Sequence, residues 1–161
     1  MANFTAKGLD EYINSLKLFV DVEPVINRAV FGGAKIVADE ITAEIREIPV
    51  VKDNLFGSKD HPLNGITEDQ KNGLLNGFGI SHIQNEDGRT FVKIGFAGYN
   101  DTKTVKYPSG QANAMIARSV VSGTSFRKKN NFIQKALSKA KDQAQAEIEQ
   151  TFQNELEKLQ K

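Results

Sequence analysis

The chain has no cysteine, only two histidines, and no apolar run approaching the roughly 18 residues that a membrane span requires. Without cysteine there are no disulfides, no thiolate metal ligands and no cysteine nucleophile, a composition that fits assembly in a reducing cytosol. No sign of charge dominates: 21 basic residues stand against 20 acidic ones, a formal net charge of +1. No global field therefore draws nucleic acid or an anionic membrane, and any such role falls to a local patch. The start, Met1 to Gly8, lacks the long apolar core of a signal peptide, so these absences together predict a soluble intracellular protein with no membrane partner.

What is present organises readily. At 161 residues the chain suits one domain, 1–161, around one core. Phe4 and Ala6 alternate with polar neighbours as in a short strand. Leu9, Tyr12, Ile13, Leu16 and Val20 then fall on one helical face. Pro24 suits the first turn of a second helix, whose stripe of Val30, Ala34, Val37, Ile41, Ile45 and Ile48 runs to Pro49. Gly32 and Gly33 inside it each cost about 0.8 to 1 kcal/mol relative to alanine, so close packing or a bend is expected there. An irregular loop at about 50–66 follows, of a length usually functional or mobile. Thr67 to Gln70 has capping-box spacing and opens a short helix.

Phe78, Ile80 and His82, the turn residues Asn85 to Gly88, and Thr90, Val92, Ile94 and Phe96 together predict a β-hairpin. Thr104, Val105 and Tyr107 predict a further strand ending at Pro108. Ser109 is placed to cap a helix through Val120, with Gly123 as a left-handed stop. Asn131 then caps a last helix whose apolar residues, from Ile133 to Leu159, keep gaps of three or four. The expected fold is α+β: a small antiparallel sheet of three or four strands packed with two N-terminal helices and a long C-terminal helix.

Candidate chemistry is sparse. Neither His61 nor His82 has a second ligand at helical metal spacing, and Ser81 and His82, adjacent on a strand, point to opposite faces. Gly73, Gly77 and Gly79 follow a helix and precede a strand, the reverse of a phosphate loop. Acidic pairs such as Asp39 with Glu40 read as solvated helix surface. No catalytic, cofactor or metal residue is assigned. The cluster Arg127, Lys128 and Lys129, with Arg118, reads either as a solvated loop near a helix C-terminus or as a sequence-independent contact with phosphate or an acidic partner. Phe132 reads as a core anchor. A last helix on the order of 40 Å long is difficult for one domain to cover, so Ile148, Phe152, Leu156 and Leu159 are expected at an oligomer interface.

The order of parts resembles the neck, or tail-completion, family of long-tailed bacteriophages. The resemblance is carried by the helix start Gly8-Leu9-Asp10-Glu11, a long helix ending before Pro49, a small β-sheet, Gly123-Thr124-Ser125, the helix-opening Phe132, and Ala136-Leu137 one turn later. The chain departs from the family pattern at Ser122, where an acidic residue is common, and at Asn131, where proline is common; its 50–66 loop is also longer. The resemblance implies a structural virion protein, not an enzyme, assembled in the host cytoplasm into a homo-oligomeric ring, a hexamer, at the head-proximal end of the tail. Implied partners are the tail-tube or tail-terminator protein, head-closure or connector proteins, and the DNA passing through the channel. Gly123, Thr124, Ser125, Asn131 and Phe132 would then form a hinge between a short helix and an assembly helix. Two alternatives compete: a nucleic-acid-binding module using the 127–129 loop, and a small hydrolase.

Overall fold

The computed structural model describes residues 22–52 and 57–159. Within them run α1 (Glu23–Arg46), α2 (Glu68–Gly77), β1 (Phe78–Ile80), β2 (Gln84–Glu86), β3 (Arg89–Phe91), β4 (Ile94–Phe96), α3 (Asn113–Ser122) and α4 (Phe132–Leu159), an α+β chain. The expected Phe4 to Ala6 strand and the Leu9 to Val20 helix lie outside the described residues.

Helix α1 begins with Glu23 and Pro24, an acid and a residue without an amide hydrogen where both suit the positive N-terminal end. It ends with Arg46 in the last turn, three residues before Pro49. Thr67 and Gln70 form the full capping box on α2: the Gln70 amide donates to Thr67 Oγ1 and the Thr67 amide to Gln70 Oε1, each at 3.3 Å.

The hairpin is present but interrupted. Strand β1 pairs with β4, and β2 with β3, as two two-stranded sheets. Asp87 and Gly88, both at positive φ (52° and 72°), make the two-residue turn whose twist suits a tight hairpin. Gln84 opposes Phe91, while the Ser81 amide donates to the Lys93 carbonyl at 2.7 Å. His82 and Ile83 therefore face Val92 alone, and this two-against-one mismatch, a β-bulge, splits the ladder.

Three expectations are corrected. Thr104 to Tyr107 form no strand; their backbones bond each other in a tight turn (3.1 and 3.0 Å) that leaves Val105 wholly in solvent. Ser109 does not cap α3, whose N-cap is Ala112 with no side-chain bond. Gly123 does stop α3 at positive φ, but at φ 71° and ψ 167° it is extended rather than left-handed helical, a region essentially confined to glycine.

The chain divides into two compact units: Met1–Ala38, Ile80–Ile94 and Lys139–Lys161 in the first, Asp39–Gly79 and Gly95–Ser138 in the second. In unit one, Val25, Ala29, Ile148 and Phe152 are buried together, with Ile26 packed on them. Gly33 makes this approach possible: a Cβ there would lie 2.7 Å from Ile148 Cδ1 and 3.2 Å from the Ala144 carbonyl. Arg28 pairs with Glu155 at 2.6 Å, and Asn85 Nδ2 donates to Glu23 Oε1 at 2.7 Å. Ile148 and Phe152 are thus corrected from interface to core, because the first half of α1 covers the far half of α4. The side chains of Leu156 and Leu159 lie outside the described residues.

In unit two, Phe132 is fully buried and meets the ring of Phe96 edge-on at 6.3 Å, which in turn lies 5.1 Å from Phe78. Ile41, Ile45, Ile48, Ile66, Leu74, Ile116, Ala117, Val120 and Ala136 are buried in the same unit.

Candidate interaction surface

The surface of unit two is positioned by a polar framework. Helix α2 presents Gly73 and Gly77 where no side chain fits. At Gly73 a Cβ would strike Asn100 and come 2.6 Å from Asn113 Oδ1; at Gly77 it would meet the Ala97 carbonyl and Asn113 Nδ2. Asn113, nearly inaccessible, fills the space those glycines leave, its Nδ2 donating to the Ala97 carbonyl at 2.8 Å and its amide to the Gly98 carbonyl at 3.0 Å. These bonds hold the loop from Ala97 to Asn100 against the start of α3, and the Ala97 amide ties it to the end of α2 by donating to the Gly77 carbonyl at 2.7 Å, since buried polar groups are costly unless partnered.

Gln70 and Arg127 form a second junction. Gln70 Nε2 donates to Gln111 Oε1 at 2.8 Å, and Gln70 Oε1 accepts from Arg127 Nη2 at 2.9 Å as well as from the Thr67 amide. Arg127 Nη1 donates to Ser119 Oγ at 2.7 Å. Arg127 was expected among the solvent-facing cations; it is 6% exposed, and burial lowers its pKa from the ordinary guanidinium value. Among the described residues it faces no carboxylate and its Nε has no hydrogen-bond partner. The residue that looked like the first of three solvated charges is the internal fastening of α2, α3 and their loops.

The remaining cations are on the surface. Arg118, Lys128 and Lys129 are exposed, as are Lys103, Lys106 and Lys135. The segment Gly95–Ser138, all within unit two, carries seven basic residues and one acidic one, an asymmetry hidden by the neutral total. The connector from Gly123 is fixed by its own bonds. Thr124 and Arg127 close a turn (2.9 and 3.3 Å), the Lys128 amide donates to the Leu63 carbonyl, and the Asn130 amide to the Val120 carbonyl, both at 2.8 Å. Ser125 is exposed at that turn, and Asn131, also exposed, offers its carbonyl to the Lys135 amide at the start of α4.

Apolar and aromatic groups accompany these charges. Tyr99 is 71% exposed, Phe126 46%, and Val105 fully so. Beside Tyr99, α2 and the loop after β4 enclose a polar pocket of about 250 Å³. Exposed apolar side chains on backbone-pinned loops, in a segment that also carries exposed cations, have the composition of a binding face. No family model, curated protein or solved structure matches the chain.

Elsewhere, Ser81 Oγ donates to the His82 carbonyl and accepts from the Lys93 amide, both at 2.8 Å, so the hydroxyl is engaged with backbone rather than with the imidazole. His61 sits in a loop turn with Ser58. Among the described residues no group of three or more histidines, cysteines or acids has the placement to hold a metal ion, and no helix is long and apolar enough to cross a membrane.

The sequence pointed to Arg118, Lys128 and Lys129 but not to Asn100, Asn113, Gln70 or Gln111, which position that surface. Gln70 was legible only as a capping-box residue, and the signal for the others was Gly73 and Gly77 at four-residue spacing on a short helix, which mark a face prepared for close contact.

Proposed function

We propose that this protein is a structural component that self-assembles into a ring in the neck, or tail-completion, region of a long-tailed phage. The observation that supports it most is the exposed loop surface of unit two, where Tyr99, Val105, Phe126 and several lysines are open to solvent. Such a face gains little for the isolated chain and much for an assembled one. The order of parts along the chain, from the long helix before Pro49 to the Phe132 helix start, supplies the family expectation. On this reading the work is mechanical. The framework around Asn113 and Gln70 holds the loops rigid, and the loops meet neighbouring copies, tail-tube or terminator proteins, and head-closure proteins. Light scattering on the purified chain and imaging of particles lacking it test the reading: a strict monomer whose loss leaves tails joined to heads would sink it.

The charge asymmetry of Gly95–Ser138 favours one second reading, contact with nucleic acid through Arg118, Lys128 and Lys129. Binding to duplex DNA that weakens steeply with salt would support it, and no binding at low salt would exclude it.

A further inference from the structure

The pocket on unit two is lined by Asp69, Asn72 and Asn76 of α2 and by Tyr99, Asn100 and Asp101 of the loop after β4. It is rich in acceptors, and the carboxylates of Asp69 and Asp101 make no ion pair among the described residues. Asn100 is already engaged, its side chain accepting from the Thr102 amide at 3.0 Å and donating to Asn113 Oδ1, but the side chains of Asn72 and Asn76 make no hydrogen bond among the described residues. The ring of Tyr99 stands open at the rim. Carboxylates, amide oxygens and an exposed aromatic face are the groups that receive an ammonium or guanidinium ion. Lys103, exposed two residues beyond Asp101, offsets part of the rim's charge, so the amides and the ring carry a share of the recognition.

The same unit presents the complementary group. Lys128 and Lys129 are exposed and form no ion pair among the described residues, yet their backbone is fixed. The Lys128 amide is bonded to Leu63, and Lys129 packs so closely on Gly123 that a Cβ there would lie 3.2 Å from its own. Charges held on a pinned loop lose less freedom on binding than charges on a loose one. Neither lysine lines the pocket of its own chain.

We infer that the Asp69–Asp101 pocket is the socket for the Lys128–Lys129 loop of a second copy of this chain. The inference rests on the self-assembly reading above and names the surfaces that meet. Socket and loop are different patches, so the contact is heterologous, and its repetition closes a ring or runs on as a filament. Opposed charges at such a contact select the partner and speed its arrival.

A mixture of isotopically labelled and unlabelled wild-type chains, coupled with a zero-length carbodiimide at low salt, tests it directly. The expected interchain links join Asp69 or Asp101 to Lys128 or Lys129 and fall at least tenfold in 1 M salt, where screening acts within about 3 Å. The charge-reversed chains K128E/K129E and D69K/D101K should each fail to assemble alone, while their mixture assembles, which also shows that both are folded. Wild-type oligomers whose interchain links lie elsewhere, or reversed chains that assemble as the wild type does, overturn the socket and leave the self-assembly reading intact. A strict monomer giving no links overturns both.

Discussion

At the scale of single residues, Arg127 is the most instructive position. Its charge is buried without a carboxylate among the described residues, and what holds it is geometry: a planar fork that reaches Ser119 and Gln70 at once. Lysine retains the charge but has no such fork, so Arg127→Lys leaves a buried ammonium with fewer bonds and an unpartnered acceptor. We expect it to cost about 1–3 kcal/mol. Arg127→Met gives up the bonds and the desolvation cost together, and should cost less than the lysine variant. Urea denaturation of the three proteins checks this, and a lysine variant as stable as the wild type would refute it. Gly32 and Gly33 make a second contrast. At Gly32 an added Cβ meets only the Glu147 side chain at 3.4 Å, ordinary contact, so Gly32→Ala should gain about 0.5–1 kcal/mol of helix propensity. At Gly33 it meets buried Ile148 and the Ala144 carbonyl, and Gly33→Ala should lose about 1–3 kcal/mol from overpacking, set against the same propensity gain. Thermal unfolding should move in opposite directions for the two.

At the scale of elements, the pair of long helices shows where periodicity informs and where it stops. The apolar stripes of α1 and α4, the Thr67 capping box and the hairpin turn were legible because each is a local pattern with a local cause. The partner of a stripe is not local: nothing in the spacing of Ile148 and Phe152 says whether Val25 and Ala29 or another chain covers them. The bulge at His82–Ile83 was hidden for the same reason, since register belongs to two strands at once. The buried Arg127 was hidden because a run of three cations looks solvated until its neighbours are known. Within α4, Glu155 is hydrogen-bonded to Lys158 at 2.8 Å and paired with Arg28. The hydrogen bond from Lys158 chiefly holds its carboxyl below the usual carboxylate range, against desolvation, which acts the other way, and with further help from Arg28. A carboxyl whose pKa is lower folded than unfolded adds stability that is present above the unfolded pKa and disappears as pH falls through the folded one. Wild-type and Glu155→Gln proteins should therefore differ at neutral pH and converge in acid, with the gap narrowed by salt because the group is near the surface. Denaturation curves taken from pH 7 down to pH 3 test this; a gap that widens in acid contradicts it.

At the scale of the whole molecule, the distribution of exposed groups matters more than their number. A chain with nearly balanced charge concentrates seven cations, all but Arg127 exposed, and one acid in Gly95–Ser138, and the same segment carries Tyr99, Val105 and Phe126 at its surface. Val105 gives the cleanest test of what that surface does. Its side chain is as open as in an extended peptide, at the tip of the Thr104–Tyr107 turn, so it contributes nothing to the packing of its own chain. Val105→Asp should consequently change unfolding free energy by no more than about 0.5 kcal/mol, the usual bound for a surface substitution away from special features. If the loop meets a neighbouring copy, the same substitution buries an unpaired carboxylate at the contact and should weaken assembly by about tenfold or more, equivalent to about 1.4 kcal/mol. Light scattering across a concentration series, beside thermal unfolding of the same samples, separates the two effects. Unchanged unfolding with lost assembly is the expected pair, and unchanged assembly would remove this loop from the interface.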